Sequence, residues 1–175
     1  MNISVLGAGT WGVALARVLA LAGHQVTVWS AVEKEIDTLA AQHAHPNLPE
    51  MVFPEEIRLT KTITEACVGM DIVLFAVPSV FVRSVASQVR PHIPDGQVIV
   101  DVAKGIEPDT LYTMSQIIKD ELNKDGAHAN VKVVALSGPT HAEEVARDLP
   151  TFIVSACEDL EAAQLGQQAF VNTCL

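Results

Sequence analysis

A chain of 175 residues, 49% apolar and 18% charged, is long enough for one large domain with a sizeable buried core. Its formal charge of −10, from 11 basic against 21 acidic residues, offers no basic footprint and argues against nucleic acid as a partner. Three cysteines, Cys67, Cys157 and Cys174, form no C-x-x-C pair, so neither a disulfide framework nor a zinc site is expected, and a reducing compartment is.

In chain order, "NISVL" (2–6) reads as a strand and not as a signal peptide, because it has no basic stretch and no cleavage signal. The next residues, "GAGTWG", place Gly7, Gly9 and Gly12 as G-x-G-x-x-G at the start of an apolar helix (10–22), and "QVTVW" (25–29) supplies a second strand. Val13 to Ala22 is too short to span a bilayer and is interrupted by Arg17, so no membrane anchor is expected and the cytoplasm is the expected location. Glycine triplets arise by chance, but a triplet between a strand and a helix in a βαβ unit is the dinucleotide-binding pattern. Gly7 allows the tight turn, Gly9 lets a pyrophosphate approach the backbone, and Gly12 lets the helix pack on the strand. The helix start then offers N–H groups and partial positive charge to the anion. Thr10 and Trp11 are the two side chains on that turn. The plainer alternative is a glycine-rich turn without a ligand.

The end of the second strand states cofactor preference in such units. An acid about 20 residues on binds the ribose 2′-hydroxyl of NAD, and a nearby arginine accommodates the 2′-phosphate of NADP. Here the strand ends in Ser30 and Ala31, and Glu33 and Lys34 come slightly late. Serine suits either group, so NADP and NAD both stay open. A helical pattern (32–43) follows, then a proline-rich stretch (43–56) read as an ordered surface loop, a helix (62–68) and an apolar strand (71–77).

Pro78 and Ser79 leave that strand where the nicotinamide side of the cleft should be, although Ser79 would equally serve as the N-cap of the helix at 80–90. Phe81 and Val82 read as core, and Arg83 as a solvated helix residue. The strand at 97–103 delivers Lys104, followed by Gly105. A lysine at that point either snorkels to solvent or pairs with Glu107, or it meets a ligand, since open α/β sheets bind ligands at strand C-termini. In 109–123, Leu111, Met114, Ile117, Ile118 and Leu122 share one helical face. After a strand at 131–136, Thr140 and Glu143 have capping-box spacing before a helix at 142–147, which is compatible with ligand contact. His141 could face the cleft, but no histidine shows a carboxylate partner at relay spacing. A strand (151–156) and a helix (159–170) lead into "FVNTCL", an apolar ending that reads as a cut from a longer protein. Alternating elements of this kind imply an α/β fold, a doubly wound, mostly parallel Rossmann-type sheet with helices on both faces.

"VLGAGTWGVALA", "HPNLPEMVFPEEI", "VPSVFVRSV", "VAKGIEPDTL" and "LSGPTHAEEVARDLPT", in that order, resemble the bacterial NAD(P)-dependent glycerol-3-phosphate dehydrogenases across nearly the whole chain. The resemblance implies that residues 1–175 are the N-terminal dinucleotide-binding domain, and that the helical C-terminal domain with the general acid–base lysine is absent. It implies reduction of dihydroxyacetone phosphate to sn-glycerol 3-phosphate for phospholipid synthesis, with a homodimer as the candidate parent assembly and the domain alone inactive. By resemblance, Gly7, Gly9, Thr10, Trp11 and Gly12 hold the pyrophosphate, Lys104 touches cofactor and substrate, Gly138 and Thr140 contact the substrate, and Ala142 the cofactor. Ser30 and Ala31 stand where the family often has an arginine or histidine for the adenosine phosphate, a departure that leaves NADP preference open. The rival readings are another two-domain dehydrogenase of a hydroxy or sugar acid, and a nucleotide-sensing module without catalysis.

Overall fold

The computed structural model describes residues 1–170; the apolar ending at 171–175 and Cys174 lie outside the described residues. Seven strands form one sheet in the order β3-β2-β1-β4-β5-β6-β7. They are β1 (Asn2–Leu6), β2 (Gln25–Trp29), β3 (Arg58–Thr60), β4 (Ile72–Phe75), β5 (Val98–Asp101), β6 (Lys132–Ser137) and β7 (Val154–Ala156). All pairings are parallel except β6 with β7. The nearly continuous apolar runs of β1 and β4 follow from that layout, because central parallel strands are covered on both faces.

The helices are α1 (Thr10–Leu21), α2 (Glu33–Gln42), α3 (Ile63–Cys67), α4 (Val82–Val89), α5 (Met114–Leu122), α6 (Ala142–Ala146) and α7 (Leu160–Phe170). One core layer joins the sheet to Val13, Leu15 and Leu19 of α1, Ile36 and Leu39 of α2, Val145 of α6 and Ala169 of α7. The opposite layer uses Ala66 of α3, Val82 and Val85 of α4, and Ile117, Ile118 and Leu122 of α5. The expected doubly wound sheet with helices on both faces is what the chain forms. The order reverses between β1 and β4, which is where such sheets open a crevice. Among the described residues no helix is long and apolar enough to cross a membrane.

Several local expectations change. β3 is too short and too polar at Arg58 to stand out as a strand, yet it pairs with β2 at the sheet edge. β7, at the opposite edge of the sheet, pairs antiparallel with β6 and departs from the parallel pattern of the other strands. The helix expected from 109 begins only at Met114, where Thr113 and Gln116 form a reciprocal capping box. Leu111, expected on the apolar face, instead has φ +59 and is 75% exposed. Phe81, expected in the core, lies 55% exposed on the 3-10 turn at 79–81 that precedes α4, while Val82 is buried.

The proline-rich stretch is anchored by buried Leu48, Met51 and Phe53, and Asn47 reaches back to donate to Thr10 Oγ1 at 3.0 Å. Arg17 of α1 makes a two-pronged ion pair with Asp148, at 2.7 and 3.0 Å, and so ties the turn after α6 to the first helix.

Candidate functional site

The turn after β1 is shaped by backbone crowding. Gly7 has φ +118 and its N–H donates to the Trp29 carbonyl at 2.8 Å. A Cβ on Gly12 would lie 2.1 Å from the Gly7 carbonyl oxygen, so only glycine allows the helix to start against the strand. At Gly9 the opposite holds: a Cβ would meet nothing within 4 Å. Gly9 is the N-cap of α1, and the first intrahelical bond is Val13 N–H to the Gly9 carbonyl. The N–H groups of Thr10, Trp11 and Gly12 therefore lack helical partners, and no acidic side chain occupies the first turn. An open cradle beneath unpaired N–H donors at a helix start fits the pyrophosphate of a dinucleotide.

Beside this turn lies a cleft of about 410 Å³. Three chain segments converge on it: Gly9, Thr10 and Trp11; Pro78 and Ser79 after β4; and Lys104 after β5, facing Thr140, His141 and Ala142. Gly138 joins through its carbonyl, which accepts from Lys104 Nζ at 3.1 Å, and Thr140 Oγ1 lies 3.4 Å from the same nitrogen. Eight residues singled out on sequence thus share one cleft: Gly9, Thr10, Trp11, Pro78, Ser79, Lys104, Thr140 and Ala142.

The capping and ion-pair alternatives for these residues are not formed, while Lys104 does extend to the solvent-exposed surface. Thr140 caps nothing; His141 is the N-cap of α6 and no side chain bonds there. Ser79 opens the 3-10 turn without a capping bond, packed instead against Gly105, where a Cβ would come within 2.9 Å of the Ser79 Cβ. Glu107 does not pair with Lys104. Its carboxylate is gripped from both oxygens by Arg83, at 2.8 and 2.7 Å.

Arg83 is correspondingly not a solvated residue. It also reaches Asp120 at 2.6 Å and buried Glu121 at 3.2 Å, binding the loop after Lys104 to α4 and α5. The Arg83 guanidinium, with Thr110, holds the Glu107 carboxyl down to about 2, and the surrounding carboxylates raise Arg83 further.

Asp101, at the end of β5, was not singled out on sequence. It is buried, and it accepts from Ala103 N–H at 3.0 Å and from Ser115 Oγ of α5 at 2.7 Å. These bonds fix the turn from which Lys104 emerges. Burial pushes its carboxyl up to about 6 despite both donors. The folded state thus holds this proton more tightly than the unfolded chain, whose value is near 3.8. Stability from the neutral form is complete below 3.8 and is lost as pH rises through about 6. Asp101→Asn, which keeps an acceptor for Ala103 and stays neutral, should be more stable than the wild type above pH 6. A shift of roughly two units corresponds to about 2–3 kcal/mol. Urea unfolding of both proteins at several pH values checks this; a gap that does not grow with pH excludes it.

A second cavity, of about 330 Å³, continues from Gly9 and Thr10 towards α2 and the proline-rich loop. Ser30 and Ala31 do not line it: Ser30 is buried behind it and Ala31 is exposed. Ser30 Oγ donates to Glu35 Oε2 at 2.6 Å and accepts from Val32 N–H at 3.0 Å. Glu35 and Lys34 line the cavity instead. Sequence spacing from Ser30 misses Glu35, because the first turn of α2 folds it back onto the strand end. An acid five residues beyond Ser30, in the first turn of a helix, is the signal that could have found it.

A family model described as the NAD-dependent glycerol-3-phosphate dehydrogenase N-terminus matches residues 2–163. The chain is 65% identical, over 98% of its length, to glycerol-3-phosphate dehydrogenase [NAD(P)+] 2 of Lactobacillus delbrueckii subsp. bulgaricus, of which it covers 51%. It is 43% identical to the glycerol-3-phosphate dehydrogenase [NAD(P)+] of Agathobacter rectalis, covering 98% of this chain and 49% of that one. The chain spans about half the length of the curated relatives it matches. Among solved structures, the glycerol-3-phosphate dehydrogenase of Coxiella burnetii superposes with a TM-score of 0.88 at 28% identity, covering 98% of this chain and 51% of that one.

Proposed function

The chain belongs to the NAD-dependent glycerol-3-phosphate dehydrogenase family, matching its N-terminal part, and on that premise we propose that it is the dinucleotide-binding half of an enzyme that reduces dihydroxyacetone phosphate to sn-glycerol 3-phosphate. Residues 1–175 form that domain, and a helical domain supplying the general acid–base lysine completes the site. The observation that carries the reading is Lys104, an ammonium held at the carboxyl edge of the sheet, 3.1 Å from the Gly138 carbonyl and facing the uncapped start of α1.

A bound nicotinamide would supply the hydride. Thr10, Trp11 and Gly12 offer N–H donors to its pyrophosphate, and Pro78 and Ser79 wall the cleft between the turn and Lys104. Lys104 donates hydrogen bonds to the substrate oxygen and stabilises negative charge as it develops there. Gly138 and Thr140, already on Lys104, orient that ammonium and meet the substrate beside it. The parent enzyme works in the cytoplasm, with a small phosphate ester as its substrate and a second copy of itself as its candidate partner, feeding glycerophospholipid synthesis.

The test is oxidation of NADH or NADPH by a full-length protein carrying this chain. Dihydroxyacetone phosphate should support it, and a 2-oxo or 3-oxo acid should not. Turnover of a sugar or hydroxy-acid substrate in its place would favour the rival dehydrogenase reading. Dinucleotide binding without turnover of any of them would favour a sensing module.

A further inference from the structure

The cavity between the phosphate turn and α2 carries an inference about the other end of the cofactor, one that rests on the dinucleotide reading above. We infer that Glu35 is the residue that sets cofactor preference, and that it selects NADH, with its free ribose 2′-hydroxyl, over NADPH. Ser30 sits where the strand ends, but its one hydroxyl proton is committed to Glu35 Oε2 at 2.6 Å. Ser30 therefore acts as a brace that holds the carboxylate on the cavity wall. A carboxylate accepts from a ribose hydroxyl and offers nothing to a phosphate but repulsion.

The cations around this wall do not compensate. Lys61, at the end of β3, is ion-paired with Asp37 at 2.7 Å and Glu33 at 3.4 Å on α2. His45 lines the cavity, but its Nδ1 accepts from Asn47 N–H at 3.1 Å, and burial disfavours its charged form, lowering its pKa against the opposing pull of Glu35. Lys34 also lines the cavity, with its side chain out at the solvent-exposed start of α2. There solvent screens it, whereas the half-buried Glu35 is fixed.

Two like charges several ångströms apart near a protein surface, one of them a phosphate, separate the two affinities by about tenfold to thirtyfold. The experiment is calorimetric titration of the 175-residue chain with NADH and with NADPH at low salt, for the wild type, Glu35→Gln and Lys34→Ala. The glutamine keeps an acceptor for Ser30, so the local fold is retained. The wild type should bind NADH at least about tenfold more tightly, Glu35→Gln should close most of that gap by gaining NADPH affinity, and Lys34→Ala should keep the preference. An NADPH preference in the wild type, or a ratio unchanged in Glu35→Gln, overturns the assignment while leaving the dinucleotide site standing. Failure of both cofactors to bind overturns the dinucleotide reading itself and this inference with it.

Discussion

Lys104→Ala in a full-length enzyme carrying this chain is expected to lower kcat by about 10²–10³, the usual cost of removing one preorganised donor to a developing oxyanion. The fold should not register the change. Lys104 is exposed, it makes no ion pair among the described residues, and its contacts are the Gly138 carbonyl and the Thr140 hydroxyl, both at the cleft. The turn that carries it is held independently, by Asp101 on one side and by the Arg83–Glu107 pair on the other. A melting temperature close to wild type beside a large loss of kcat is the expected pattern. Near-normal turnover would remove Lys104 from the chemistry.

The second large effect separates two glycines that look alike in the motif. Gly12→Ala forces a methyl to within 2.1 Å of the Gly7 carbonyl oxygen, which is backbone and is itself pinned in a turn at φ +118. Neither side can give way cheaply, so a loss of about 3 kcal/mol or more is expected, at the upper end of overpacking costs. Gly9→Ala has ample room on the protein side, and its φ of −72 with ψ of 177 suits alanine. That variant should fold with stability within about 0.5 kcal/mol of wild type. Its methyl, however, would project into the open cradle above the helix start, and an intrusion of that size costs about tenfold to a hundredfold in dinucleotide affinity. Chemical unfolding and NADH titration on the two variants measure both quantities. A Gly9→Ala protein that binds NADH as the wild type does would show that no pyrophosphate passes over that residue.

Much of the site was readable because the chemistry and the chain order coincide. The phosphate turn, the Pro78–Ser79 exit from β4 and Lys104 at the end of β5 each sit at a strand C-terminus, and a parallel sheet sends every strand C-terminus to one edge. Where reading failed, the partners were distant in sequence or the local pattern was ambiguous. Arg83 looks like a solvated helix residue until Glu107, Asp120 and Glu121 arrive from two other segments. Thr140 and Glu143 have the spacing of a capping box, but α6 starts later and the threonine turns to Lys104 instead. Leu111 keeps helical spacing with Met114, yet Thr113 makes the better cap and the helix begins after it.

The sequence by itself determined the alternation of strands and helices, the parallel sheet and the phosphate turn, because these follow from local periodicity and from the steric needs of three glycines. Tertiary structure alone decided which partners the polar side chains at the sheet edge take. Glu35 became the acid at the end of β2 only when Ser30 took hold of it, and Asp101 became a strut beneath Lys104 only when α5 brought Ser115 against it. Hydrogen bonds depend on positions to within tenths of an ångström, and those positions are set by packing across the whole sheet.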